Sequence, residues 1–449
     1  MLTDWCQVSG AKFNIEKTEI IPIGTQQHRQ RVIDTRKVNP NDLIPLDQNI
    51  KIAEDGDAVR SLGAWIGNKV NDATPWELTI DKVHKSLEKW KKVNPSMKGC
   101  KIIAQAIIGG HTQFLTKAQG MPKHVEKALT KITRQFMWED DSSPRIAMEL
   151  LHKPMEEGGL NLIDIQACNE AIDIIWLKAY LNFSPTRPKW AIVVDMIIDE
   201  IAPPATNRIA RVNAFLQSWT IPTRGQRANH LNGDIIRMVK VGTKHKLDLT
   251  AIRISPQLRA QLPAWYHRDS APCPIRSNAS KCLLERHSIK KVTDLLQVSA
   301  RIHNPRPNQD HRPIQNCTCI ECIEDRLREC RNPHGCAQEA LTRIQRIAPK
   351  LNPLRDDRHG DLSLTTRRKT RNETAKRTQG AIIFDPSITC KNDLSECFRI
   401  FTNPERATNI PAERLRPRGP NLTHQEIAIY TNGACFNNGK ENAKCGSGI

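Results

Sequence analysis

Apolar residues recur through residues 75–182 with the spacing of a single helix face. Ile80, Val83, Leu87 and Trp90 fall at i, i+3, i+7 and i+10, and Val125, Leu129, Ile132 and Phe136 repeat the stripe after Pro122, a residue suited to a helix start. Ala167, Ala171, Ile174, Ile175 and Leu181 form a third stripe, and Glu157–Ile165 before it reads as a turn feeding a short extended run. Residues 1–70 carry a different period. Phe13 and Ile15, then Ile20, Ile21 and Ile23, then Arg60-SLGAWI-Gly67 predict short strands, the last part of an α/β unit. From about 203 to 315 the pattern weakens, because Pro203, Pro204, Pro256, Pro263, Pro272, Pro274, Pro305, Pro307 and Pro313 interrupt any long element; short helices joined by coil are expected. Ala337, Ala340, Leu341, Ile344 and Ile347 predict one more amphipathic helix. Residues 366–419, rich in Arg and Pro, read as a basic linker. At the end, Ile427–Thr431 alternates again, Asn437, Asn438 and Gly439 mark a turn, and a second strand starts at Cys445. The fold class is therefore mixed and mainly α.

At 449 residues the chain is too long for one core, so two or three domains are expected. The hydrophobic fraction is 39%, the aromatic fraction 5% and the mean hydropathy −0.52, values that leave some segments short of material for a packed core. The net charge of +19 favours a polyanionic partner, since Lys and Arg release counterions from phosphate on binding. No apolar run approaches the ~18 residues that would cross a bilayer, and the first ten residues lack the layout of a secretory signal. An intracellular protein, nuclear or cytoplasmic, is the expectation, without a membrane or small-molecule partner. Its fourteen cysteines are then read as thiols or metal ligands and not as disulfides.

Six of the metal-ligating residues crowd into one stretch: Cys317, Cys319, Cys322, Cys330, His334 and Cys336. Zn²⁺ takes four Cys or His ligands in a tetrahedron, and C-x-C-x2-C followed by a further Cys or His could supply them. The spacing is not that of a standard knuckle or ribbon, and reduced buried thiols are the other reading. For phosphate contact the candidates are Lys89, Lys91 and Lys92 around Trp90, and the run Arg367, Arg368, Lys369 and Arg371, which also reads as a nuclear-import patch or a solvated linker.

Two stretches resemble known families. Trp5 followed by Ser9-Gly10-Ala11-Lys12-Phe13-Asn14 and Lys17-Thr18 resembles the late palm motif of reverse transcriptases from non-LTR retrotransposons, and Leu62-GAWI-Gly67 the primer-grip strand pair that follows it. Phe136-Met137-Trp138, Lys153-Pro154, Gly158-Gly159-Leu160 and Asn169-Glu170-Ala171 resemble the thumb and connection. Glu426-IAIYTNGACFNNGKENAKCGSG-Ile449 resembles the first hairpin of type-1 ribonuclease H domains, in the order such elements use. Cys-rich stretches between thumb and ribonuclease H also occur in fungal members. The resemblance implies a reverse-transcriptase palm end over 1–70, a helical thumb and connection over 71–185, an irregular segment over 186–315, a Cys-rich segment with a helix over 316–350, a basic linker over 351–425 and a truncated ribonuclease H hairpin over 426–449.

It also implies Lys17 near an incoming nucleotide, and RNA, DNA or their hybrid as partner. The parent activities, RNA-directed DNA polymerase and hybrid ribonuclease, use Mg²⁺ held by carboxylates. Here the first ribonuclease H aspartate is replaced by Asn432, and the polymerase aspartates are expected before the first residue, so Mg²⁺ is not expected to bind well and the chain itself is expected to be inactive. Trp138-Glu139-Asp140-Asp141 fits the aromatic-x-Asp-Asp pattern formally, but its context is a helix terminus. The alternative is a basic, zinc-organised nucleic-acid-binding protein. A degenerate reading frame with a stable core only across about 75–185 is a third.

Overall fold

A computed structural model describes residues 2–355 apart from 11, 13, 15–16, 72, 139–145, 204–205, 250–252, 272–274 and 305–310; beyond 355 it describes 370, 373–374, 377, 389–390, 393–398, 400–401, 433–436 and 444–447. The chain is mainly helical, with four separate two-stranded sheets among the described residues. The predicted strand positions at Phe13 and Ile15, the segment Ile427–Thr431, Asn432, the Glu139-Asp140-Asp141 string and Arg367, Arg368, Lys369 and Arg371 lie outside the described residues.

The N-terminal region opens with a helix, α1 (Leu2–Ser9), ahead of the first predicted strand positions. A short strand β1 (Glu19–Ile20) then leads to α2 (Gln26–Thr35), capped by the Thr25 hydroxyl, and returns in β2 (Lys51–Ile52), parallel to β1. The single strand expected over 60–67 is two: β3 (Val59–Ser61) and β4 (Ala64–Ile66) form an antiparallel hairpin across Leu62 and Gly63. Both turn residues have positive φ, 49° and 88°, the pairing whose twist matches a two-residue hairpin. Gln119 accepts from the Trp65 N–H at 2.9 Å and ties this hairpin to the helices.

Those helices are α3 (Thr74–Lys91), α4 (Met97–Ala104), α5 (Gly110–Gln119), α6 (Lys123–Met137), α7 (Met148–Leu151) and α8 (Ile165–Tyr180), with one π turn, Gln105–Gly109, between α4 and α5. Two of the three predicted stripes face the core as expected through Val83, Leu87, Val125, Leu129 and Phe136. Pro122 is the residue at which α6 starts. Trp90 ends the first stripe outside, 49% exposed, beyond the reach of the core at the last turn of α3. The third stripe is borne out in part: Leu181 is buried and Ile174 packs against the core, whereas Ala167, Ala171 and Ile175 are exposed and α8 buries Ile165, Asn169, Ile172, Leu177 and Tyr180. A polar residue heads that face because Asn169 Nδ2 reaches Glu126 Oε2 of α6 at 3.0 Å, a pairing that a hydrophobicity pattern cannot register.

The turn before α8 is fixed by close approach. The Gly159 N–H donates to Pro154 O at 3.1 Å and the Asn161 N–H to Lys153 O at 2.8 Å, and a Cβ on Gly159 would sit 2.0 Å from Lys153 O. The two short motifs around Lys153-Pro154 and Gly158-Gly159-Leu160 thus form one packed turn.

Beyond α8 come α9 (Lys189–Glu200), α10 (Gly233–Lys244), the short strand β5 (Arg253–Ile254), α11 (Pro256–Ala260), α12 (Asn278–Glu285), α13 (Val292–His303), α14 (Ile320–Leu327) and α15 (Pro333–Gln345). The short helices expected here are present, and α15 carries the predicted amphipathic stripe. The region is nonetheless better packed than its sequence suggests. Its core gathers Leu177, Tyr180, Ile198, Leu216, Met238, Leu262 and Val292, and reaches Leu394 and Phe398 inside the segment read as linker. The core is thus not confined to about 75–185, as the degenerate-frame alternative has it: prolines at element ends leave short amphipathic pieces free to converge. β6 (Thr389–Cys390) runs parallel to β5, and β7 (Gly433–Phe436) pairs antiparallel with β8 (Lys444–Ser447); this first strand falls after the expected Ile427–Thr431, which lies outside the described residues.

Glu170 joins α8 to α10. Lys244 Nζ lies 2.5 Å from its Oε1 and His245 Nε2 3.0 Å from its Oε2. Partial burial acts to raise its pKa, but hydrogen bonds from Lys244, Gln166 and His245 prevail and bring it down to about 2. A carboxyl depressed in the folded state contributes fully above its unfolded pKa near 4.5 and loses that contribution as pH falls toward 2. Glu170→Gln should cost about 1 kcal/mol at neutral pH, the modest value of a partly solvated pair, and the difference from wild type in urea unfolding should vanish between pH 4.5 and pH 2.

Candidate metal centres

The cysteine-rich stretch does not make one site. Cys317, Cys319 and Cys322 converge with His311, whereas Cys330 and Cys336 converge with Cys282 and His287. Within each set of four, the ligand atoms lie within 4.8 Å of one another. Five of the six predicted ligands are therefore in a cluster, divided between two, and His334 is in neither.

Local structure places the first centre. Cys319 is the residue before the first turn of α14 and Cys322 lies three further on, so C-x2-C puts both sulfurs at one helix N-terminus, where the backbone dipole favours thiolate. His311 Nδ1 lies 3.4 Å from Cys317 Sγ, 3.4 Å from Cys319 Sγ and 3.5 Å from Cys322 Sγ. A tetrahedral zinc with Zn–S of ~2.3 Å and Zn–N of ~2.05 Å sets each N···S distance at about 3.6 Å. One nitrogen nearly equidistant from three sulfurs at that separation is the arrangement such an ion requires. The Arg312 N–H donates to Cys317 Sγ at 3.2 Å, and Arg301 Nη1 to Cys322 Sγ at 3.2 Å. His334 is the partner of a ligand: its Nδ1 is 3.0 Å from His311 Nε2, and the rings stack 5.3 Å apart. That contact fixes which His311 nitrogen faces the sulfurs.

The second centre is assembled from three elements. Cys282 stands on α12 with His287 just past its end, Cys330 follows α14, and Cys336 lies in the first turns of α15. Cys330 Sγ and Cys336 Sγ are 3.6 Å apart, close to the ~3.8 Å edge of a ZnS tetrahedron. His287 Nδ1 lies 3.3 Å from Asp325 Oδ1, and Nε2 is buried on the side of the cluster's thiols. A carboxylate behind a buried imidazole whose other nitrogen faces thiols is the usual setting of a metal-ligating histidine.

Titration behaviour fits a shared charge. In the second centre, hydrogen bonds from Cys336, His287 and Cys282 outweigh burial and draw Cys330 down to about 4, while Cys336 is pushed up by donating to it and by burial. Burial alone would lower His287, but Asp325 and Cys330 raise it to about 9. In the first centre, burial pushes Cys322 up to about 12. His311 is lowered by burial and by its neighbour His334, leaving the neutral imidazole that a metal takes. Ligation replaces the protons of such clusters with a cation. The two Cys/His clusters could thus hold a metal ion such as zinc. No group of carboxylates converges comparably among the described residues, so Mg²⁺ has no support there.

Sequence reading missed Cys282, His287 and His311 because it searched for density along the chain. His287 is separated from Cys330 by α13 and α14, and only the fold brings C-x4-H to C-x5-C. His311, six residues before Cys317, was within reach of a wider window.

Of the predicted phosphate contacts, Lys17, Lys89 and Lys92 are exposed and Lys91 is half-buried, with exposed Trp90 between Lys89 and Lys91.

No family model matches the chain, and no curated protein proves significantly similar to it. The division into two centres stands on geometry, and stoichiometry tests it. Purified full-length protein should carry two equivalents of zinc by elemental analysis. Cys282→Ser and Cys319→Ser should each lose one equivalent, and His334→Ala should retain both. A single equivalent, lost with either cysteine, would mean one shared site.

Proposed function

We propose that this chain is a nucleic-acid-binding part of a non-LTR retrotransposon reverse transcriptase and ribonuclease H, with a zinc-organised unit across residues 278–345. The observation that carries the binding function is the charge of the helical unit. Residues 74–137 hold twelve Lys and Arg against four Asp and Glu. Exposed Lys89 and Lys92 flank the half-exposed indole of Trp90 at one helix end. Cations beside an exposed aromatic ring are the elements of sequence-independent binding, the cations meeting phosphate and the ring offering a stacking face.

The zinc-organised reading is favoured by the near-tetrahedral spacing about His311. Both centres present four soft ligands from the chain itself, which suits structural zinc and leaves no position for a reacting water. The metals thus hold the unit together, and contact with nucleic acid falls to the basic helices. The retrotransposon origin rests on the ordered motifs around Lys17-Thr18, Gly158-Gly159-Leu160 and Thr431-Asn432-Gly433.

Fluorescence anisotropy with a labelled RNA–DNA hybrid of arbitrary sequence tests the binding function. Affinity should fall linearly in log–log form with salt, little changed by sequence. Replacing Lys89, Lys91 and Lys92 together by Ala should flatten the slope by up to about 3, near 0.9 for each phosphate that no longer meets a cation. Absence of binding at low salt, or a slope untouched by the triple substitution, would refute the assignment.

A further inference from the structure

The two centres share more than a neighbourhood. Arg301 Nη1 donates to Cys322 Sγ of the first centre at 3.2 Å, and Arg301 Nη2 donates to Asp325 Oδ2 at 2.7 Å. The other carboxylate oxygen, Asp325 Oδ1, lies 3.3 Å from Nδ1 of His287 in the second centre. These three side chains are nearly sealed from water, with 4%, 6% and 0% of their surface exposed for Arg301, Asp325 and His287. A second connection closes the circuit on the far side. His311 of the first centre meets His334 at 3.0 Å, and His334 stands two residues before Cys336 of the second centre on α15.

We propose that the two centres bind metal cooperatively, with Arg301 and Asp325 as the positioning residues that couple them. This rests on the reading of both clusters as zinc sites. Metal entering the first centre fixes Cys322 Sγ in place as a thiolate, and the thiol proton passes to solvent. The N–H···S bond from Arg301 becomes charge-assisted on both sides, and shorter, stronger bonds of that kind fix the guanidinium. Arg301 then holds Asp325, whose second oxygen orients His287 so that its other nitrogen faces Cys330 and Cys336. The same chain runs in reverse, because coupling between two binding equilibria is reciprocal. Low dielectric around three buried groups keeps the coupling from being screened.

The geometry also explains why one arginine serves. Its planar fork presents two N–H groups in fixed relation, one toward sulfur and one toward carboxylate. A lysine would present its donors from a single nitrogen, without the fixed separation that the fork sets between the two. Asp325 likewise bridges Arg301 and His287 with its two oxygens, so neither residue can be exchanged for a neutral analogue without breaking the chain.

The experiment is chelator-competition titration of the full-length protein with Zn²⁺. Wild type should take two equivalents with positive cooperativity. Disabling the first centre by Cys319→Ser should weaken Zn²⁺ at the second about tenfold, and Cys336→Ser should do the same to the first, within the range that supporting residues contribute to metal affinity. In an Asp325→Asn background, the same cysteine substitutions should alter the remaining centre less than twofold. Arg301→Lys, which retains charge, should have the same decoupling effect. Two equivalents bound with independent constants, or cooperativity unchanged in both Asp325→Asn and Arg301→Lys, would overturn the coupling while leaving the zinc sites standing. Failure of wild type to bind Zn²⁺ would overturn the sites themselves and the coupling with them.

Discussion

Asp325 is a carboxylate almost wholly removed from water, and the arrangement of residues 278–345 follows from the need to keep it paired. A buried charge left alone costs far more than a buried apolar group of the same size. Asp325 meets this with Arg301 on one oxygen and His287 on the other, and its own backbone carbonyl accepts from the Cys330 N–H at 3.0 Å. Those partners come from α13, from the end of α12 and from the segment after α14. Satisfying one residue, two partners at its side chain and one at its backbone, therefore brings three elements to fixed positions, and the ligands they carry arrive with them.

The surrounding core explains why such a device is needed. The apolar cluster here is built largely from Ala210, Leu283, Leu284, Ile289, Leu295, Ala340 and Ile344, with Trp265 as its one fully buried aromatic. Even that indole is put to polar use: its Nε1–H donates to Ile289 O at 2.7 Å, and the Arg343 guanidinium lies 4.4 Å over its ring. A cluster of so few apolar residues removes limited surface from water, at about 25 cal/mol for each Å² of apolar area. Ordering helices as short as α12 and α14, of eight residues each, costs backbone entropy that such a core offsets poorly. Cross-linking of the two Cys/His clusters by a metal ion would supply the difference, as it does in small domains that fold around an ion.

Sequence periodicity disclosed α3, α6 and α15, whose apolar residues recur on the buried face even where Glu126, Thr133 and Arg343 share it. It misplaced α8 because Asn169 occupies the buried face, satisfied by Glu126 on another helix. It understated the region after residue 203, since proline spacing limits element length but does not say whether short elements meet. The metal ligands were legible as a composition and not as a partition. Cys317, Cys319, Cys322, Cys330 and Cys336 stand out by density, but assigning each to a centre requires knowing that α13 and α14 fold back to carry His287 to Cys330. His334 was credited with ligation because its neighbours in sequence are ligands, whereas its ring packs on His311.

Charge bookkeeping finally separates the tasks of the two basic regions. Three thiolates, one neutral imidazole and one divalent ion sum to a single negative charge at each centre, so a filled pair presents two negative charges within the unit. Arg301 and Arg326 are already turned inward there, to Cys322 and Asp325 and to the Cys317 carbonyl at 2.6 Å. Phosphate would meet repulsion from the centres and find these two arginines engaged. The helical unit of residues 74–137 has the opposite balance, with cations in threefold excess over acids and Lys89 and Lys92 exposed beside Trp90. On the proposed reading, electrostatics would assign a polyanion to the helices and the architecture to the sulfur centres, and a polyanion drawn by the helices would gain nothing by reaching for metals held there.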